Sequence, residues 1–370
     1  MIRINNHIIL FFTILSIIFI GSFLMYSASS SFAYYKFNKS DTYFVFKHFS
    51  WVLLGIAGLS FVSFINHHIF KKYYKIILIF SWIVMLIPII LNLNHDSIDR
   101  WLKIGNFTLM TTSDFGKLAI IIFVARFIDK YHQKINDIEI LTHKLFPYLL
   151  VTIGLIVYQP DLSTSIILSS IVFSLLYIAG INYKLIISFI TIGIVSFLSI
   201  ISIFSYQKTR LFVWLGFGET NNQSSNSVLA LANGGLTGKG IGESIFKYNG
   251  FIPEGQTDFI LAIIGEELGF VGIFTIFLLF IILFFQGFNI SKKCSDRFSM
   301  FLSIGITINI FFYLIINSAY VVGILPTTGL PLPFISYGGS QTIFSLLSIG
   351  ILISISKNNY KNSNIKYYYG

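Results

Sequence analysis

Long apolar runs separated by short polar connections mark the chain, and ten of the runs predict helices near residues 8–27, 48–65, 76–93, 113–128, 145–159, 163–181, 185–205, 258–285, 300–325 and 339–356. The fourth and fifth are short and carry charge. One connection, residues 206–257, is far longer than the rest and holds a glycine run at 234–242. A flexible linker is the plain reading of such glycines, but a connection of this length without its own fold is usually functional. The polar, asparagine-rich tail at 357–370 is expected to be disordered.

Composition agrees with this pattern. Of 370 residues 55% are hydrophobic and 11% charged, against about 25% charged in a soluble domain. Ten spans need about 200 apolar positions, which this chain has. The expected fold is an all-α polytopic membrane protein, one integral domain over residues 1–370 without a separate soluble unit. Residues 8–26 follow Arg3 and resemble a signal peptide, but the run is long and many spans follow, so it reads as an uncleaved anchor.

The net charge of +10 does not indicate a nucleic-acid partner, because the basic residues are scattered between apolar runs. They orient the protein instead. With the N-terminus inside, one side carries 14 Lys and Arg residues and the other 9, spread over longer loops. Both termini are then cytoplasmic and 206–257 lies outside. Cys294 is the sole cysteine, so no intrachain disulfide can form. The seven histidines show no ligand spacing, and His67-His68 read as interfacial loop residues.

Within Phe251–Gly272, FIPEGQTDFILAIIGEELGFVG, a polar loop runs into an apolar helix. Asp258 is expected in its first turn with Thr257 as N-cap, where a carboxylate complements the helix dipole. Glu266 and Glu267 follow about 12 Å along the axis, with Glu266 on the side of Asp258 and Glu267 turned away. Acids in a membrane span are costly and point to function. Asp114 and Lys117 are spaced to pair on one helix face. Asp161 sits at a turn behind Pro160, and Arg210 and Lys239 belong to the long connection. Asp114, Asp161 and Asp258, with Lys117, Arg210 and Lys239, are expected at one membrane face. Snorkelling explains any one of them, but their gathering suits a substrate with an exposed head group and a lipid tail.

The stretch at 251–272 resembles the LPExHTDFIFAxxGEELGxxG segment of the SEDS family (shape, elongation, division, sporulation). GILPTTGLPLPFISYGGSQ at 323–341 is similar to its GxLPxTGxPLPFxSYGGS. DRWLKIG, TTSDFGKLA and YQPDLSTS, at 99–105, 111–119 and 158–165, match further family segments in order, so the likeness covers nearly the whole chain. The run at 233–244, NGGLTGKGIGES, is closer to the FtsW-type division pattern than to the RodA-type elongation pattern. There are departures: Gln256 replaces the family histidine, Thr112-Ser113-Asp114 stands for Pro-Ser-Glu, and Ser163 replaces glycine.

The resemblance implies a peptidoglycan glycosyltransferase that polymerises lipid II at the outer face of the plasma membrane, with a class B penicillin-binding protein as partner, in septal wall synthesis together with other division proteins. It implies that Asp258 is the catalytic residue. Lys117, Asp114, Arg210, Lys239, Asp161 and Gln256 become candidates for substrate binding. The leaving pyrophosphate calls for cations, or for a divalent ion, Mg²⁺ or Mn²⁺, held by carboxylates. Glu266 and Glu267 shape the cavity floor or pair with cations such as Arg126. Ser336, Gly338 and Gly339 either let the backbone approach a neighbour or form a plain capping turn. A lipid II flippase or other transporter, a RodA-type elongation polymerase and a division scaffold remain alternatives.

Overall fold

Each of the ten apolar runs forms a helix, as it must where lipid offers the backbone no hydrogen-bond partners. In chain order the helices are α1 (Asn6–Phe37), α2 (Tyr43–Phe64), α3 (His68–Leu91), α4 (Thr112–Tyr131), α5 (Ile138–Lys144), α6 (Phe146–Tyr158), α7 (Leu162–Ile178), α8 (Tyr183–Ile203), α9 (Ser205–Trp214), α10 (Asn222–Gly234), α11 (Ile260–Lys292), α12 (Arg297–Val321) and α13 (Gly339–Tyr369). The structure, a computed structural model, describes residues 6–37, 40–91, 101–104, 107–203, 205–217, 222–247, 251–252 and 255–369. Among the described residues six helices, α1, α2, α3, α11, α12 and α13, are long and apolar enough to cross a membrane, and the bent pair α5–α6 adds a seventh if it forms one span.

The central helix α4 has span length but carries Asp114, Lys117, Arg126, Asp129 and Lys130. It tolerates them because α3, α7 and α12 pack around it, so most of its residues meet protein and not lipid. Among the described residues the only sheet is a hairpin of β1 (Trp101–Ile104) and β2 (Phe107–Thr111) that leads directly into α4.

Three expectations change. The long connection is not a structureless linker, since it contains α9 and α10, and α10 packs along α11. The polar tail is not disordered, because α13 continues through it to Tyr369. Asn358 and Asn359 bond to His67 and to the Ile290 carbonyl, and an anchored helix extends without a new nucleation cost.

Third, the apolar run at 258–285 is broken. At Gly269 the backbone turns to φ 64°, ψ −161°. A straight α11 of 33 residues would be about 50 Å long against an apolar bilayer core of about 30 Å. The break frees the carbonyls of Glu266 and Glu267, whose ordinary helical partners would be the amides of Phe270 and Val271. The glycine-rich segment after α10 takes both sets. Lys239 N and Gly240 N each donate to those carbonyls at 3.0 Å, while Phe270 N and Val271 N donate to Gly235 O and Leu236 O at 2.9 and 3.2 Å. Such an approach excludes side chains: a Cβ at Gly238 would lie 2.1 Å from Glu267 O, and one at Gly269 2.4 Å from Gly238 N. Gly234, Gly238 and Gly269 therefore serve backbone contact and not flexibility.

Candidate active site

A cavity of about 150 Å³ opens where α4, α7, the turn before α11, and the segment between α12 and α13 meet. Asp114, Asp161 and Asp258, far apart in sequence, all line it. Asp114 lies in the first turn of α4, with Lys117 Nζ 2.8 Å from Oδ1. Its Oδ2 accepts from Thr111 and from Ser340 Oγ at 2.8 Å. Lys117 also donates to the Tyr313 hydroxyl and sits below the main cavity, at a void of about 10 Å³ that shares Asp114 and Tyr313 with it. Asp161 is the N-cap of α7, its Oδ1 accepting from Thr164 N at 3.2 Å and its Oδ2 from Ser113 Oγ at 3.0 Å. Ser163, which stands where the related pattern has glycine, donates to Thr328 O at 2.8 Å and so ties α7 to the segment after α12.

Asp258 does not sit inside the helix. α11 begins at Ile260 with Phe259 as N-cap, so Asp258 belongs to the turn before it and Thr257 is not the cap. Its backbone is held from below: Asn317 Nδ2 and Tyr320 Oη, both on α12, donate to Asp258 O at 2.9 and 2.7 Å. Arg210 approaches from α9. A Cβ at Gly329 would lie 3.4 Å from Asp258 Oδ2 and 4.0 Å from Arg210 Nη1, so both groups border the same backbone position. Arg210 Nη1 also donates to Thr327 O at 3.0 Å.

Other candidates lie elsewhere. Lys239 has an exposed side chain outside the cavity, and its backbone amide makes the contact with α11. Gln256 is buried beside the cavity, its carbonyl accepting from Tyr337 N at 3.0 Å and its Oε1 without a hydrogen-bond partner among the described residues. Glu266 and Glu267 form no part of the cavity lining, contrary to a role in its floor. Glu266 accepts from Asn233 Nδ2 at 2.7 Å, Ile245 N at 3.2 Å, Phe246 N at 3.3 Å and the Ser244 hydroxyl. Glu267 accepts from Ser27 Oγ and pairs with Lys247 Nζ at 2.9 Å. Its cation is thus Lys247 and not Arg126, which pairs with Asp129 one turn along α4. These contacts fasten the segment after α10 across the break in α11.

Ser336 Oγ accepts from Leu332 N at 2.8 Å and closes a buried turn. Gly338 lies in the cavity wall, and a Cβ at Gly339 would stand 2.6 Å from the Trp51 ring, so that position brings α13 against α2. Sequence reasoning missed Asn317, Tyr320, Ser340 and Lys247. Asn317 and Tyr320 read as polar residues inside an apolar span, which was the available signal.

The carboxylates do not fit a divalent ion as they stand. Among the described residues the only His/Cys/Asp/Glu cluster of metal-holding geometry is His67, His68 and Asp296, so Asp114, Asp161 and Asp258 line one cavity without converging on a single point. In that cluster His67 is occupied, Nε2 bonding Ser299 Oγ at 2.7 Å and Nδ1 meeting Asn358 Nδ2 at 3.2 Å. Burial pushes the His67 imidazole down to about 4, with His68 and Lys71 adding to the effect and Asp296 opposing it.

A family model described as cell cycle protein, covering FtsW, RodA and SpoVE, matches residues 7–361. A probable peptidoglycan glycosyltransferase FtsW from Trichlorobacter lovleyi is 31% identical over 94% of this chain and 92% of its own length. A protein of the same description from Haemophilus influenzae is 32% identical over 95% of this chain and 90% of its own. Among solved structures, a chain from a peptidoglycan synthase complex that coordinates polymerisation and crosslinking superposes with a TM-score of 0.74 at 19% identity, over 95% of this chain and 98% of that one.

Proposed function

The chain belongs to the FtsW, RodA and SpoVE family of cell cycle proteins, and on that premise we propose that it is a peptidoglycan glycosyltransferase of the FtsW kind, joining lipid II units at the outer face of the plasma membrane. The observation that carries the reading is the single cavity onto which Asp114, Asp161 and Asp258 converge from three separate segments, with Arg210 at the side of Asp258. In this reading Asp258 is the general base. It takes the proton of the acceptor sugar 4-hydroxyl as that oxygen attacks the donor anomeric carbon. The bond from that carbon to the pyrophosphate oxygen breaks, and undecaprenyl pyrophosphate leaves with the electron pair. An α-linked donor giving a β-1,4 bond means inversion by direct displacement.

Arg210 is placed to meet the negative charge that grows on the leaving group, because it borders the same backbone position as Asp258. Lys117 is buried beneath and neutralises Asp114, which makes it a structural cation more than a substrate contact. A bound Mg²⁺ or Mn²⁺ would supply Lewis-acid stabilisation of the pyrophosphate, but the cavity carboxylates as arranged do not form its site.

The orientation follows the Lys and Arg bias, with both termini cytoplasmic and the cavity outside. Reporter fusions at Lys292 and Lys239 should report opposite sides, and the same side for both would remove the outer-face site. A class B penicillin-binding protein is the partner we infer at the septum. The direct test is polymerisation of lipid II by the purified chain, with and without that transpeptidase. Glycan strands that depend on Asp258 are expected. Lipid II translocation without polymerisation, unaffected by Asp258→Asn, would favour a transporter.

A further inference from the structure

The strongest unassigned feature is a pair of polar side chains under the cavity, and it rests on Asp258 as the base. Asn317 and Tyr320, each wholly buried, lie one helical turn apart on α12. Tyr320 Oη is 2.7 Å from Asp258 O and 2.8 Å from Leu330 O. Asn317 Nδ2 is 2.9 and 2.8 Å from the same two carbonyls and 2.6 Å from Tyr320 Oη. Leu330 lines the cavity together with Gly329, Pro331, Tyr337 and Gly338 of the same segment, and Gly329 borders the Asp258 carboxylate. A second strap, Tyr337 N to Gln256 O at 3.0 Å, joins the same two stretches.

We propose that Asn317 and Tyr320 are positioning residues that fix Asp258 relative to the Leu330 segment of the cavity wall. The hydrogen count closes. On the donor side, two amide hydrogens and one hydroxyl hydrogen serve three acceptors, namely the two carbonyls and the phenolic oxygen, while Asn317 Oδ1 finds no partner among the described residues. Two arrangements satisfy all three, differing in which carbonyl takes the hydroxyl and which takes an amide hydrogen. Each holds both backbones, so the cavity keeps its width while the donors exchange. Phe259, next to Asp258, packs its ring edge-on against Tyr320 at 5.4 Å and leaves little freedom to shift.

The same count ranks substitutions. Tyr320→Phe leaves two amide hydrogens for two carbonyls and should be mild. Asn317→Leu removes both amide donors and leaves one hydroxyl to serve two carbonyls. Asn317→Asp places a carboxylate against two carbonyls and should be worst. A base displaced by about 1 Å can cost up to about 100-fold in rate.

The experiment measures kcat and KM for lipid II polymerisation by the full-length chain, with melting temperature and folded yield recorded for each variant. Expected are kcat within about threefold of the parent for Tyr320→Phe, and a fall of about 10- to 100-fold in kcat for Asn317→Leu with KM nearly unchanged. A purely structural role would lower yield and melting temperature but leave kcat per folded molecule intact, and that result overturns the proposal. Should Asn317→Leu not fold, Asn317→Ser combined with Tyr320→Phe leaves a single hydroxyl for both carbonyls. The same kcat loss is then expected, and parental kcat overturns the proposal. Asp258→Asn, run beside them, separates the two failures. If it loses activity while Asn317→Leu keeps it, only the positioning role falls; if it keeps activity, the base itself falls.

Discussion

Glu266 follows Asp258 by eight positions, yet their carboxylates live in different surroundings. Asp258 sits in a turn at the edge of a cavity, with its backbone anchored by Asn317 and Tyr320. Glu266 lies inside α11, closed in by Asn233, Ser244 and two backbone amides, and Glu267 beside it is closed in by Ser27 and Lys247. A buried acid saturated by protein donors has no capacity left for a ligand, whereas an acid beside open volume can meet one. The comparison separates fastening from chemistry among acids that look alike in sequence.

The comparison breaks first at Asp258. Asp258→Asn keeps the shape and removes basicity, so lipid II turnover should fall about 10²- to 10⁴-fold with normal folded yield. Glu266→Gln should do the reverse, lowering yield while the protein that does fold keeps most of its turnover. Turnover assays normalised to folded protein settle both, and parental turnover in Asp258→Asn would remove it from the mechanism.

Next in size is the fastening itself. Glu267→Ala leaves Lys247 charged and buried, a loss of about 3–5 kcal/mol that should appear as reduced melting temperature and yield. Replacing both Lys247 and Glu267 by Met should restore much of that stability, because no charge is stranded. A double variant no better than Glu267→Ala would show that the pair contributes more than mutual neutralisation.

The pair Asp114–Lys117 lies between the two cases, since one member lines the cavity and the other is buried below it. Lys117→Ala should cost about 2–4 kcal/mol in stability, less than Glu267→Ala, because Thr111 and Ser340 still donate to Asp114. Lys117→Arg should be milder but not neutral, as its planar fork needs another geometry. Full activity and yield in Lys117→Ala would make the pair incidental.

The smallest effect lies at the far end of the bundle. His67 is held neutral, with its folded value near 4 against 6.5 for an unperturbed imidazole. Below pH 6.5 the unfolded chain takes up a proton that the folded chain refuses, so stability falls as pH drops from about 6.5 to 4, by roughly 1–3 kcal/mol. Melting curves across that window should flatten in His67→Gln, and an unchanged slope would clear His67.

Much of this protein was legible in its residues because the governing rules are local. A run of apolar residues in lipid must form a helix wherever it sits, so ten helices could be placed from hydropathy alone. The Asp114–Lys117 pair followed from a spacing of three on one helix, and the ordered motifs carried the family. The β1–β2 hairpin went unread although short apolar runs flank Gly105-Asn106, a dipeptide suited to a tight turn. What sequence could not supply was every meeting between distant segments. The exchange of two helical hydrogen bonds at Gly269 for four to the glycine-rich segment needs two stretches some thirty residues apart to lie side by side. The choice of Lys247 over Arg126 for Glu267, and the placing of Asn317 and Tyr320 beneath Asp258, are decided the same way. Side chains on one helix meet through its fixed pitch, but side chains on different helices meet only after the whole bundle has packed, and that packing is where fastening acids and cavity acids part.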